Sequence, residues 1–399
     1  MSAHHLRCRV CEEVAPPGPV DACRRCDGPT DVAYDWGRIE RTLTRASVES
    51  GARTLWRYEA LLPAGARVDV GAGWTRLVRC EPLSELLGVD LLLKLESENP
   101  TRSYKDRIAT LAVSAALDHG VTTLCCSSTG NLGDAVAAAA ASTGLEAIVL
   151  VPAGSASAAG GTRHPNVHVL AVRGTYDDCR RLELELGSLF PWGFVSGNLH
   201  PYASEGAKTI SFEIAEQLDW QLPDAVVCPA ASGTLFSKLA QGFAELTRAR
   251  LASEPLPRMF AAQAEGSSPI ASAFADHRAI SRVHAHTHVA SLAVGDPSSG
   301  DLALGAARAT GGAVLALSED AIAAYTELLS ETTGVEADES GGAALGALIG
   351  ARRSGAIETD ARVVLVVTGR RPRAMLDATH VRTIDPDAAD ALAALGLSS

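Results

Sequence analysis

Residues 90–119 read DLLLKLESENPTRSYKDRIATLAVSAALDH, and two periodicities meet inside them. Asp90 to Leu95 is a short apolar run broken only by Lys94, as expected of a buried strand. Asn99-Pro100-Thr101-Arg102-Ser103 is turn chemistry, and Asp106 to His119 carries helical periodicity. The same alternation continues. Thr122 to Ser128, Ala147 to Pro152, Val167 to Val172, Asp224 to Cys228, Met259 to Ala264, Ala313 to Leu317 and Val363 to Val367 are predicted strands. Leu132 to Ser142, Asp177 to Phe190, Leu235 to Arg250 and Asp320 to Thr332 are predicted helices. Alternation of this kind predicts α/β architecture with mostly parallel sheets, whose ligands gather beyond the carboxyl ends of the strands. Tyr34 to Leu62 reads as a connecting segment with one or two helices, and Ala153 to Gly161 as a surface loop.

The chain is long enough, at 399 residues, for two or three domains. A formal charge of −12 with no basic run argues against nucleic acid or an anionic membrane as partner. Neither a signal-type apolar segment nor a membrane-length one is present in the sequence, so a cytoplasmic protein is expected. Cys8, Cys11, Cys23 and Cys26 form two C-x2-C pairs eleven residues apart. Such knuckles aim four thiolates at one point and predict a structural zinc ribbon over residues 1–35. A pair of disulfides, or a ribbon that keeps its cysteines without the metal, are the alternatives. Cys80, Cys125, Cys126, Cys179 and Cys228 lie singly or in apolar strands and are read as buried structural cysteines.

Only four lysines occur, so elimination is informative. Lys94 interrupts a strand, while Lys208 and Lys238 fall on amphipathic helices and are read as solvated or capping. Lys105 stands at a strand-to-helix junction beside the positive end of a helix, which favours a neutral, nucleophilic amine. Taken alone, a surface lysine at a helix start is the favoured reading, since helix ends attract polar residues. Ser127-Ser128-Thr129-Gly130-Asn131 follows a strand and opens a helix, an anion seat suited to a carboxylate, though such residues cap helices everywhere. Pro229-Ala230-Ala231-Ser232-Gly233-Thr234 has the small residues and hydroxyls that let a backbone approach a phosphate. Thr368, after the last predicted strand, could hydrogen-bond a pyridine nitrogen without protonating it, although a plain turn would look the same.

Taken in order, these stretches resemble one family. Beyond the cysteine pairs they are Leu55-Trp56-Arg57-Tyr58, Glu98 to Arg107, Ser128-Thr129-Gly130-Asn131-Leu132, Glu205-Gly206-Ala207-Lys208-Thr209, Ala231-Ser232-Gly233-Thr234-Leu235, Ala262-Gln263-Ala264-Glu265-Gly266 and Thr368-Gly369. The family is that of the threonine synthases, fold type II enzymes of pyridoxal 5′-phosphate (PLP) with a tryptophan synthase β-like fold, in the version with an N-terminal zinc ribbon. The resemblance implies Lys105 as the Schiff-base lysine, Asn131 facing the cofactor's 3-hydroxyl, Ser232, Gly233 and Thr234 on its phosphate, and Thr368 on its ring nitrogen. It also implies a large open-sheet domain from 40–111 with 205–399, and a smaller mobile one, 112–204, with the cofactor in the cleft between. The substrate is then a small amino acid with a leaving group on its β or γ carbon. Oligomeric state is left open, a homodimer included.

The departures fall where substrate is expected. The family's G-E-G-x-T-P-L is here Gly71-Ala72-Gly73-Trp74-Thr75-Arg76-Leu77, its N-P-T-G-S-F-K places Arg102 at the glycine, an expected arginine is His200, and T-G-x-G-L-K has become Thr368-Gly369-Arg370-Arg371-Pro372-Arg373. Arg76, Arg102 and Arg370 are therefore candidate anion contacts, beside Ser128, Thr129 and Gly130. Three readings stay open at this point. They are threonine synthase or a paralogue with a shifted substrate, a cysteate synthase-like replacement by sulfite on O-phosphoserine, and a catalytically silent scaffold.

Overall fold

The computed structural model describes residues 4–128, 130–154, 164–370 and 381–397. Its strands, in chain order, are β1 (His4–Cys8), β2 (Val14–Ala15), β3 (Thr30–Tyr34), β4 (Leu77–Arg79), β5 (Asp90–Leu95), β6 (Thr123–Ser127) and β7 (Glu146–Pro152). They continue with β8 (Val167–Val172), β9 (Gly193–Phe194), β10 (Ala225–Pro229), β11 (Arg258–Ala264), β12 (Ala313–Leu317), β13 (Arg362–Val367) and β14 (Val381–Ile384). The strand–helix alternation is as expected, with ends moved by a residue or two. Among the described residues no helix is long and apolar enough to cross a membrane.

The chain forms two compact units. One takes residues up to Ala72, then Lys105–Gly206 and the C-terminal strand and helix. It holds a five-stranded parallel sheet in the order β14-β8-β7-β6-β9 and the small antiparallel sheet β2-β1-β3. The other takes Gly73–Tyr104 and Ala207–Arg371, with the six-stranded order β12-β11-β10-β13-β5-β4, parallel except for β4.

These boundaries differ from the expected 40–111 with 205–399 and 112–204. Residues 40–72 join the first unit, and so does the C-terminus, because β14 pairs with β8 in parallel and Ile384 and Leu392 enter the core of Ile148, Leu150, Leu170 and Leu186. That discontinuity reflects contacts between residues some two hundred positions apart, which no local pattern carries.

Strands β7 and β13 are buried along nearly their whole length, which is why they read as continuous apolar runs rather than alternating ones. In the second unit the helix Glu339–Arg353 packs on β10, β11 and β13 and is buried almost throughout. Leu345 and Leu348 there belong to one apolar core with Leu91, Leu93, Val227, Phe260 and Leu365, each burial contributing roughly 1.5–3 kcal/mol.

The five single cysteines are buried and unpaired as expected, and burial pushes the Cys179 thiol up to about 12, which keeps it inert. The solvated reading of Lys208 is corrected. It is fully buried against Glu245 at 2.8 Å, because the helix His200–Gln217 that carries it is enclosed on all sides over most of its length. Lys238 is also buried, on Gln241 at 2.9 Å.

Candidate active site

Lys105 is the first residue of the helix Lys105–Asp118 and is half-buried. The helix is anchored by close backbone approach: a Cβ added to Gly206 would lie 2.2 Å from the Arg107 carbonyl oxygen, so only glycine fits there. Burial pushes the Cys126 thiol well above its usual range, with Glu183 and Asp134 adding to the push and the charge of Lys105 pulling against it. Burial likewise raises Tyr176, with Arg180 and Lys105 opposing.

The loop after β6 lies in the same unit. The Ser128 hydroxyl accepts from the amides of Gly130 at 3.0 Å and Gly133 at 2.8 Å, and its own amide donates to Leu150 O at 2.9 Å. Ser128 is thus engaged in shaping the turn into the helix Asn131–Thr143, a capping role that the sequence reading gave only as the alternative. Gly130 takes φ +144°, and Asn131 opens the helix half-buried. Thr129 lies outside the described residues, as do most of Ala153 to Gly161 and Arg371, Pro372 and Arg373.

In the second unit, β10 runs into Ser232-Gly233 and the fifteen-residue helix Thr234–Arg248. Gly233 has φ +84°, and a Cβ there would meet Ser299 O at 2.6 Å. The hydroxyls of Ser232 and Thr234 are 3.1 Å apart, and that of Thr234 is 3.0 Å from Ser299, whose amide donates to Ser232 O at 2.9 Å. A helix N-terminus, a glycine with no room for a side chain and three converging hydroxyls fit a phosphate monoester. The sequence reading missed Ser299. The only signal was the Pro297-Ser298-Ser299-Gly300 turn before another helix.

Thr368 follows β13 and is 4% exposed, with its hydroxyl 3.0 Å from that of Ser340. Its carbonyl accepts from Tyr104 N at 3.0 Å, Ser103 bridges Gly369, and Arg370 N donates to Arg102 O at 3.1 Å. The stretch 102–104 is therefore laced to 368–370 by backbone, which brings two of the three candidate arginines together. Arg102 sits at φ +67°, in the left-handed region where the resembled motif has glycine. Arg370 is half-exposed, with one guanidinium nitrogen 3.9 Å from Glu336 and its Nε buried without a hydrogen-bond partner among the described residues. Arg76 is bound by Glu98, its Nε 2.7 Å from the carboxylate, and its side chain is 71% exposed.

At the N-terminus the sulfurs of Cys8, Cys11, Cys23 and Cys26 all lie within 4.8 Å of one another. The contacts of 3.3 to 3.6 Å are far too long for the disulfide alternative, and a zinc–sulfur bond of about 2.3 Å in a tetrahedron spaces sulfurs by roughly 3.8 Å. This N-terminal segment is tied into its unit by Tyr34, which donates to Glu205 at 2.6 Å, and by Gly18 N, which donates to the Tyr202 hydroxyl at 2.7 Å.

Residues 68–369 match the pyridoxal-phosphate dependent enzyme family. The threonine synthase of Methanosarcina acetivorans is 33% identical over 392 residues, 96% of either chain, and that of Methanocaldococcus jannaschii 30% identical over 371 residues, 91% of either. Among solved structures, maize serine racemase aligns with a TM-score of 0.61 at 21% identity, covering 74% of this chain and 88% of that one. Diaminopropionate ammonia lyase from Escherichia coli aligns with 0.62 at 19%, covering 82% and 89%; at such identities the likeness shows the fold alone. The chain belongs to the threonine synthase family of fold type II pyridoxal-phosphate enzymes, and it is a lyase of that class.

Proposed function

We propose that this lyase acts on a small amino acid bearing an anionic leaving group on its β or γ carbon, by elimination followed by addition of a nucleophile, with a donor shifted from that of its relatives. Lys105 would hold the cofactor in the resting protein and would take the α-proton of the substrate. When bound, PLP delocalises the electron pair that this leaves on the α-carbon. Ser232, Gly233, Thr234 and Ser299 would hold the phosphate ester, and Asn131 and Thr368 would hold the ring at its 3-hydroxyl and its nitrogen. The Ser128 to Asn131 loop, with Thr129 and Gly130, seats the substrate carboxylate.

The observation that carries the shift is Arg102. A non-glycine residue at φ +67° costs about 1–2 kcal/mol, and such strain persists where it serves a site. Its guanidinium, with those of Arg370 or Arg76, supplies the bidentate grip that His200 cannot. Arg102→Gly is expected to gain roughly 0.5–1 kcal/mol of stability, since the backbone relaxes while glycine's greater unfolded freedom offsets part of the gain. It is also expected to lose about 10- to 100-fold in kcat/KM for the anionic donor, as a charged hydrogen-bond pair is worth 1.5–3 kcal/mol. The donor itself is found by incubating the protein with O-phosphohomoserine, O-phosphoserine and homoserine esters, with and without sulfite, and identifying products by mass spectrometry. Efficient conversion of O-phosphohomoserine to threonine, unchanged by alanine at Arg76, Arg102 and Arg370 in turn, would sink the shifted-donor reading.

The four cysteines are proposed to hold one structural zinc, since four thiolates leave no open position for water. Metal analysis of protein purified without chelator is expected to give one zinc per chain. Stripping it should free the ribbon and lower the melting temperature, because binding energy at such a site is folding energy. Protein that carries no zinc, yet melts normally, would count decisively against the assignment.

A further inference from the structure

Residues 284–289 read HAHTHV, a stretch outside the candidate active site, and burial follows the same alternation as composition. Ala285 and Thr287 are half-buried, and Val289 is buried in the core that also holds Phe260 and Leu345. His284, His286 and His288 are all exposed. Alternation of this kind belongs to extended backbone, on which every second residue faces the same side. Three of the chain's eleven histidines therefore share the solvent side of one short segment.

The backbone beneath them is fixed. The His286 amide donates to Gly266 O at 2.9 Å, and a Cβ on Gly266 would lie 1.8 Å from the His286 carbonyl oxygen, so the segment is pressed against a position that admits only glycine. Val283 N donates to Gly295 O at 3.1 Å. Val289 N donates to the Thr287 hydroxyl at 3.1 Å, and that hydroxyl donates to Glu319. These contacts engage the main chain and the inward side chains and leave the imidazoles out. Among the described residues, none of the three rings hydrogen-bonds or ion-pairs with the protein.

A merely solvated face is served by any polar side chain. Imidazole adds a nitrogen donor suited to zinc, copper and nickel. Its repetition at i and i+2 sets two such donors on Cα atoms about 6.5 Å apart on one side of an extended chain. Both rings are exposed, so side-chain rotation alone brings them onto one ion at metal–nitrogen distances of about 2.0–2.1 Å. His288 stands where the chain bends and is not needed for the pair.

We propose that His284 and His286 form a two-imidazole chelate for a late divalent transition-metal ion, with water completing its coordination. The site is separate from the four cysteines: its donors are nitrogens, and its coordination is open where theirs is closed.

The test is calorimetric titration of the untagged holoenzyme with nickel chloride, after the cysteine site has been saturated with zinc. One nickel ion per chain is expected to bind. His284→Gln and His286→Gln should each weaken it about 10-fold or more, because either change leaves one imidazole without the neighbour that makes binding intramolecular. His288→Gln should bind as wild type does. Glutamine keeps the size and polarity of an exposed side chain, so unchanged melting temperatures check that the variants fold. The double variant reads any nickel taken up elsewhere, by thiolates or by the cofactor's phosphate. Wild type that binds no nickel, or a double variant that binds it undiminished, would overturn the proposal. An affinity that falls as far in His288→Gln as in His286→Gln would overturn the pairing.

Discussion

Lys105→Ala is expected to lose turnover by about 10³-fold or more, since one side chain is assigned both the bond to the cofactor and the movement of the α-proton. The purified variant should also lose the yellow colour of the bound cofactor, and borohydride should fix cofactor to wild type and not to the variant. The other three lysines are poor substitutes for physical reasons. The Lys94 ammonium is satisfied by Thr75 O at 2.7 Å, Glu213 at 2.7 Å and Gln217 at 3.0 Å. Lys208 is paired with Glu245 in the core, and Lys238 is held by Gln241. Cofactor fixed to any of these, found by peptide mapping after reduction, would show the assignment to be wrong.

What could be read in the sequence was what is local. Strands such as β7 and β13 announce themselves because a parallel sheet covered on both faces admits only apolar side chains, and the loops after β6 and β10 are short strings at strand ends. The helix His200–Gln217 shows why burial was misjudged at Lys208. A helix enclosed on most sides has no polar face to mark its period, so its charged residues look like a solvated stripe when they are partners for charges elsewhere.

Ser299 and Ser340 stayed hidden for a different reason. They reach Thr234 and Thr368 across 65 and 28 residues of chain, and nothing near a serine marks such a contact. The meaning of Arg102 was half legible. Its place at a motif glycine could be seen, but the left-handed backbone that makes the substitution costly is visible only in the fold.

Lys94 and Glu213 are the second place where a single change should have a large effect. Both side chains are fully buried, 2.7 Å apart, and the other Glu213 oxygen accepts from Trp74 N at 2.7 Å. Trp74 has φ +51°, so this carboxylate also holds a strained turn beside Thr75, whose carbonyl Lys94 shares. Glu213→Ala leaves an ammonium in the core with its counter-charge gone, and breaking a buried pair on one side typically costs about 3–5 kcal/mol. Equilibrium denaturation should show that loss, with the amides of β5 and Trp74 exchanging hydrogen faster than in wild type. The pair is also costly to bury in the first place, so Lys94→Met with Glu213→Leu removes both charges and should recover much of the stability. The turn at Trp74 would still lack its acceptor. Recovery should therefore be incomplete in hydrogen exchange at Trp74 even where it is near complete by denaturation. A double variant no more stable than the sum of the two single losses would show instead that the pair acts through its hydrogen-bonded geometry rather than through the charge left uncompensated.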